Sequence, residues 1–347
     1  MELLNPTPLP GVAFRQYDQD GDLDCVVALR GTFRHRQGHP AEWCDRQEKL
    51  QWQDAYEGDP QETPLLRQTD LTPGKTGTDV TYLGASFAPG GPAREWDCSL
   101  HIGPIDKRLS VTGPREWQPD VRPARWPLRR EAKITGWSLS PPEPAAQVDM
   151  DWRHSFGGSP EFDPDAEPDD RNPIGRGRLG SPETWRDTPL PAPQIHGGDL
   201  TPDDDATPAG LGPIPPFWAQ RSRHAGTYDE DWQANRHPLL PRDFDPRFWQ
   251  SAPEDQIARP YLRGDEAYRL TNLHPEHPLA EGRLPGLGLA LRLNDGPPLA
   301  LNLDGVQFDW REAALILLTW RIRFPLPDAQ GAKLHLDWHW LAREVAA

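Results

Sequence analysis

Proline sets the first limit on this fold. The 347-residue chain carries 42 prolines and 30 glycines, spread along its whole length. Each proline inside a helix costs about 3 kcal/mol and removes a backbone donor, so long helices are excluded. Together the two residues make up about a fifth of the chain, below the roughly 25–30% that marks low-complexity disorder. The 15 tryptophans point the same way, because disordered chains are poor in aromatics. The composition implies a folded, mainly β protein: antiparallel β-sandwich or open-barrel sheets with long, ordered loops rich in proline and glycine, and few helices.

Short apolar runs divided by turn residues support this class. Val12–Tyr17 and Leu23–His35 read as a hairpin around Asp18-Gln19-Asp20-Gly21-Asp22. That turn lacks the ligand spacing and distant Glu of a calcium loop, so it reads as a β-turn. Lys49–Asp54 is expected to continue the sheet, and Thr81–Phe87 to form a strand. Trp96–Ile102 and Arg108–Thr112 flank the turn Gly103–Lys107, and Arg125–Ser140 is strand-like. Ala267–Asn272, Leu287–Leu293, Leu299–Leu303, Gly305–Phe308 and Leu315–Phe324 follow. The cleanest period-2 segment is Leu334, Leu336, Trp338 and Trp340 alternating with His335, Asp337 and His339. No fixed-period repeat occurs. The organisation reads as an N-terminal β region (1–150), a loop-rich central region packed on the sheets (151–266) and a C-terminal β region (267–347), or as one unit.

Charge and motifs exclude several functions. The formal net charge is −16, and lysine occurs only at Lys49, Lys75, Lys107, Lys133 and Lys333. Without a basic run, nucleic-acid binding is not expected. Cys25, Cys44 and Cys98 are widely spaced and form neither a disulfide framework nor a zinc motif; they read as buried thiols of a reducing compartment. The start MELLNPTPLPG lacks the basic and long apolar regions of a signal peptide. No 18-residue apolar run occurs, so a cytoplasmic protein with no membrane span is expected. Gly74-Lys75-Thr76 lacks the upstream glycine of a phosphate loop, and a strand follows it. The 11 histidines contain no H-E-x-x-H, and no G-x-S-x-G occurs. No catalytic residue, cofactor site or metal site is assigned.

One stretch remains, Gly226–Glu266, dense in aromatics, arginines and carboxylates and without any apolar period. It cannot form its own core, and long ordered loops in compact domains are usually functional. Tyr228, Trp232, Phe244, Phe248, Trp249 and Tyr261 offer apolar anchors, and Arg236, Arg247 and Arg263 offer planar donors that grip carboxylates. Asp243, Asp245, Asp255, Gln256 and Glu266 complete the candidate partner-binding set. Two other readings stay open for these residues. Asp243 and Asp245 can cap turns and pair with Arg242 and Arg247, the aromatics merely stapling the loop to its scaffold. Alternatively, paired carboxylates with Trp232 and Trp249 are the outline of a glycoside hydrolase or glycan-binding site.

The order of the motifs carries a resemblance. The chain reads D-L-x-P-x-K-x-x-T-D-V at Asp70–Val80, G-P-x-D-K-R-L at Gly103–Leu109 and N-P-x-G-R-G at Asn172–Gly177. It continues with G-T-Y-D-x-x-W from Gly226, P-x-D-F-D-P-R-F from Pro241, A-P-x-D-Q from Ala252, Y-L-R-G-D-E from Tyr261 and W-R at Trp320-Arg321. In this it resembles the type VI secretion accessory proteins grouped as domain of unknown function family 2169. The resemblance implies a non-enzymatic adaptor or chaperone that binds an effector, or a VgrG-type or PAAR-type spike component, for loading. It also singles out Lys75, Asp79, Asp106, Lys107, Asn172 and Arg176 as motif residues without an assigned role. An effector immunity protein is a further alternative.

Overall fold

A computed structural model describes residues 1–122, 133–160, 166–180, 190–201 and 206–341. The largest sheet has seven strands, in the order Ile257–Ala258, Thr78–Leu83, Asn302–Asp309, Leu315–Pro325, Leu23–Arg34 and Gly11–Tyr17, with Glu42–Trp43 also paired to Leu23–Arg34. It is antiparallel except where Thr78–Leu83 runs parallel to Asn302–Asp309. A five-stranded antiparallel sheet runs Ile195–His196, Ile105–Thr112, Glu95–Ile102, Ala267–Thr271 and Leu279–Arg283. A four-stranded sheet runs Glu2–Leu4, Lys333–Trp340, Leu287–Leu293 and Leu299–Ala300. The architecture is mainly β and sandwich-like, and among the described residues no sheet closes into a barrel. Strands from the first third and the last quarter of the chain interleave in the same sheets.

These three sheets share one core. Leu23–Arg34 sends Cys25, Val27, Leu29 and Phe33 into it, as period 2 dictates, and Val80, Tyr82, Val306, Phe308, Leu318 and Trp320 line up beside them. The five-stranded sheet contributes Cys98, Leu100, Ile102 and Tyr268, and the Tyr268 ring meets Phe308 at 5.0 Å. Tyr82 satisfies its buried hydroxyl by donating to the carbonyls of Ala85 (2.9 Å) and Leu273 (2.7 Å). Burial pushes the Cys25 and Cys98 thiols up, to about 11 and about 12.

Several sequence expectations need correction. Lys49–Asp54 is not a strand; the Gln51 and Thr69 amides bond to the carboxylates of Asp70 and Asp54 instead of joining a ladder. The Thr81–Phe87 run divides into Thr78–Leu83 and Ala85–Phe87 at Gly84, whose φ of +154° breaks the strand. The 95–112 hairpin turns on Gly103-Pro104 alone, so Ile105–Lys107 lie within the strand. Of Arg125–Ser140, Lys133–Leu139 is a strand paired with Trp117–Arg122, and 125–132 lies outside the described residues, as do 161–165 and Asp203–Asp205. The period-2 segment Lys333–Trp340 is a strand, but only Leu334 and Leu336 are buried, while Trp338 and Trp340 are exposed. Among the described residues no helix is long and apolar enough to cross a membrane.

Candidate functional site

The outer face of the seven-stranded sheet is polar yet covered. Ten consecutive residues of Leu23–Arg34 are buried, from Asp24 to Phe33. On the outer side the pairings set Arg30 beside Thr319, Asp79 beside Gly305, and Thr81 beside Gln307. Buried charges need partners, because an unpaired ion in the interior is costly. Arg30 pairs with Asp70 at 2.8 Å, Arg67 with Asp309 at 2.9 Å, and Arg321 with the fully buried Asp304. Burial pushes the Asp304 carboxyl up, opposed by the Arg321 charge. At Asp309 burial pushes up too, but hydrogen bonds from Arg311 and Arg67 more than reverse it. A polar cavity of about 50 Å³ lies among Arg30, Asp70, Lys75, Asp79, Asp304 and Arg321.

Asp79 is where the central stretch is fastened to this face. Its carboxylate accepts from Lys75 Nζ (2.5 Å), Gln250 Nε2 (2.7 Å), the Ser251 amide (2.7 Å) and Ser251 Oγ (3.0 Å). Gln256 is fully buried and donates to the carbonyls of Val80 (2.9 Å) and Leu211 (3.1 Å). Tyr261 donates to the Lys75 carbonyl, and Lys107 pairs with Asp255. Asp106 pairs with Arg108 at 3.3 Å, so Asp106 and Lys107 are not partners of each other. Glu266 accepts from the Arg263 and Gly264 amides at 2.6 and 2.9 Å, and Arg263 lies 3.6 Å from Asp265.

The two central aspartates act as caps. Asp243 accepts from the Thr227 amide (3.0 Å) and hydroxyl (2.8 Å), and these bonds hold its carboxyl below the usual range. Asp245 accepts from the Arg247 amide, capping the turn Pro246–Trp249, and pairs with the Arg247 guanidinium, which brings it down to about 2. Arg242 is not the partner of Asp243. Phe244 is buried, with Phe248 and Trp249 at ring distances of 5.7 and 5.6 Å. Beneath them Arg221, buried, donates to the carbonyls of Phe248 (3.0 Å) and Ile214 (2.8 Å). Burial brings Arg221 down to about 10.

Asn172 and Arg176 belong to a separate buckle. Asn172 is fully buried and donates to the carbonyls of Trp152 (2.9 Å) and Phe156 (2.8 Å), and Arg176 Nε donates to Arg153 O at 2.6 Å. A Cβ on Gly175 would stand 2.8 Å from both Gly157 Cα and Ser155 O. Gly175 of N-P-x-G-R-G therefore serves close packing, and Gly177 supplies a turn at φ +97°.

The first part of the stretch behaves differently. No residue of the helix Glu230–Asn235 is buried. Tyr228 is 53% exposed, and its ring meets that of Trp232 at 4.7 Å. The outcrop is nevertheless held. Asp229 caps the helix through the Trp232 amide, Trp232 Nε1 donates to Leu239 O at 2.9 Å, and Arg236 donates to the carbonyls of Leu240 and Gln19. So the structure brings Asp243 to Glu266 together as a fastening, and leaves Tyr228 and Trp232 on an anchored projection.

A family model described as an uncharacterized protein conserved in bacteria (DUF2169) matches residues 20–321. The chain belongs to this family. No curated protein and no solved structure matches it. The DUF2169 span contains both the fastening and the projection. It also contains Arg30, Asp70, Arg221, Gln250, Ser251, Asp304 and Arg321, which are absent from the predicted site residues. Arg30 and Asp304 carry a readable signal, a charge flanked by apolar residues inside a strand. Gln250 and Ser251 carry none.

Proposed function

We propose that this DUF2169 protein is a non-enzymatic accessory protein of type VI secretion, an adaptor or chaperone acting in the cytoplasm. In this reading it holds an effector, or a VgrG-type or PAAR-type spike component, for loading. The observation that carries the reading is the Tyr228–Trp232 projection. An exposed Tyr228 beside a half-buried Trp232 on an anchored mount is the composition of an interface anchor, and the bonds of Arg236 to the carbonyls of Leu240 and Gln19 keep the mount in place. The capping roles of Asp243 and Asp245 count against the glycosidase alternative, because neither carboxyl is held protonated for general-acid work.

Deleting the gene in its own bacterium tests this reading. Loss of an adaptor silences delivery of a toxin and leaves the cell unharmed. Self-poisoning on deletion would mark an immunity protein and overturn the proposal.

A further inference from the structure

The four-stranded sheet has a half-covered edge. Glu2–Leu4 lies along residues 333–335 of the strand Lys333–Trp340 and stops there. A turn closed by Asn5 Nδ2 on Leu9 O, at 2.7 Å, then carries the chain away. Lys333–Trp340 runs on, and among the described residues nothing pairs with 338–340 on that side. The Asn294 amide donates to Lys333 O and the Leu341 amide to Gly286 O, so odd-numbered residues bond toward Leu287–Leu293. The Glu2 amide donates to Ala332 O, so even-numbered residues face the other way. Trp338 and Trp340 therefore turn their N–H and C=O groups to the open edge.

The same two residues make this edge apolar. Their cross-strand neighbours Leu289 and Leu287 are buried, but Trp338 and Trp340 are 48% and 57% exposed, and their rings meet at 5.8 Å. Natural sheets blunt an open edge with charge, proline or a cover, and large exposed rings mark an interaction site. Here Asp337 lies on the opposite face and is neutralised by Arg292 at 2.7 Å. His339 lies on that face too, its Nε2 2.6 Å from where a Cβ on Gly288 would stand, so its ring is folded over its own sheet.

We infer that this edge joins two copies of the chain, paired antiparallel about His339, so that Trp338 of each copy lies opposite Trp340 of the other. Trp338-His339-Trp340 reads the same from both ends, which makes the strand the complement of its own copy across a two-fold axis. The pairing satisfies the open backbone groups of both tryptophans and sets ring against ring on one face. Leu341 of the second copy falls opposite Asp337, short of the place where Leu4 ends. A second copy is favoured over a charged partner because the edge offers no unpaired carboxylate or guanidinium, and two chains of net charge −16 can meet only where local charge is nil. A fully covered ring of this kind buries about 150–250 Å². These rings are already half covered, so the interface falls below the roughly 1,000 Å² of a permanent one, and the dimer is weak and concentration-dependent. The inference goes beyond the adaptor reading and does not need it: Trp338 and Trp340 lie outside residues 20–321, which the family model matches.

Sedimentation velocity on the full chain, from micromolar to submillimolar concentration, tests this. Salt of about 0.15 M screens the repulsion between the copies beyond about 8 Å. The wild type is expected to show a dimer fraction that grows with concentration. Hydrogen exchange on the same samples should slow about threefold or more at 338 and 340 as dimer forms, and stay unchanged at Leu299–Ala300, the other edge of the sheet. Trp338→Ala and Trp340→Ala should each weaken dimerisation about tenfold. Trp338→Lys should abolish it, by bringing a like charge from each copy to the interface. Urea midpoints show that each variant is folded, and the exchange measurement needs no variant. A wild type that stays monomeric across the range, a dimer that survives Trp338→Lys, or a dimer without protection at 338 and 340 would overturn the inference.

Discussion

Asp79→Ala tests the fastening most sharply. The wild-type carboxylate is 3% exposed and takes bonds from Lys75, Gln250 and Ser251. Truncation leaves the Lys75 ammonium, whose side chain is 8% exposed, without its partner. Breaking a buried ion pair from one side costs about 3–5 kcal/mol, a large share of the roughly 5–15 kcal/mol that holds a domain folded. For a chain of this length the loss corresponds to an apparent midpoint lowered by roughly 4–7 °C. Much of the cost comes from the stranded ammonium, so Lys75→Met in the same background should recover part of it, giving a coupling of about 1–3 kcal/mol. Urea unfolding of the wild type, both single variants and the double variant measures this. Limited proteolysis should locate new cleavage within 241–266 in Asp79→Ala. A loss under about 1 kcal/mol, or additive single variants, would refute the reasoning.

Other consequences are separately measurable. Gly175→Ala should cost about 1–3 kcal/mol by overpacking the Asn172 buckle, read as a lowered urea midpoint; a neutral result would contradict the close approach. His35, whose Nδ1 lies 2.6 Å from the Tyr268 hydroxyl, is held down to about 4, mainly by burial and further by His274 and His277. The unfolded chain therefore binds a proton that the folded one resists, and stability falls as pH drops from about 6.5 toward 4. Half-exposure limits this to roughly 1–2 kcal/mol; His35→Gln should flatten the urea midpoint over that window, and an unchanged slope would remove His35 as the cause. Tyr228→Ala, at a ring that is 53% exposed, is expected to change stability by under about 1 kcal/mol, whereas Trp232→Ala loses a half-buried ring and the bond to Leu239 O and should cost about 1–2 kcal/mol; equal thermal midpoints for the two variants would show that the Trp232 ring does not help to hold the projection.

The strands were legible wherever apolar and polar residues alternate. Glu95–Ile102, Leu287–Leu293 and Leu315–Pro325 follow their patterns almost to the residue. Leu23–Arg34 shows where such reading stops. Its core face is visible in Cys25, Val27 and Leu29, and the charge of Arg30 stands out beside them, but nothing local says what covers Arg30 and Thr32. Their cover comes from loops far along the chain, such as Gln47 on Thr32 and Asp70 on Arg30. The central stretch divides for the same reason. Gly226–Glu266 is uniform in composition, yet Gln256 is enclosed and Tyr228 is open. Phe244 and Asp243, offered as partner contacts, are used for packing and capping, because burial depends on where the sheet lies beneath them. Glu2–Leu4 was invisible, since a three-residue strand carries no period.

The central claim is that a fastened central stretch presents Tyr228 and Trp232 to a secretion partner. Its most direct test is gentle purification of the tagged chain from its own bacterium, beside a Tyr228→Ala/Trp232→Ala variant shown by its urea midpoint to be folded. The account predicts a spike component or effector in stoichiometric amount with the wild type, and its loss from the variant. A wild-type chain that emerges alone at low and physiological salt, or a variant that keeps the same companion in full, would contradict it.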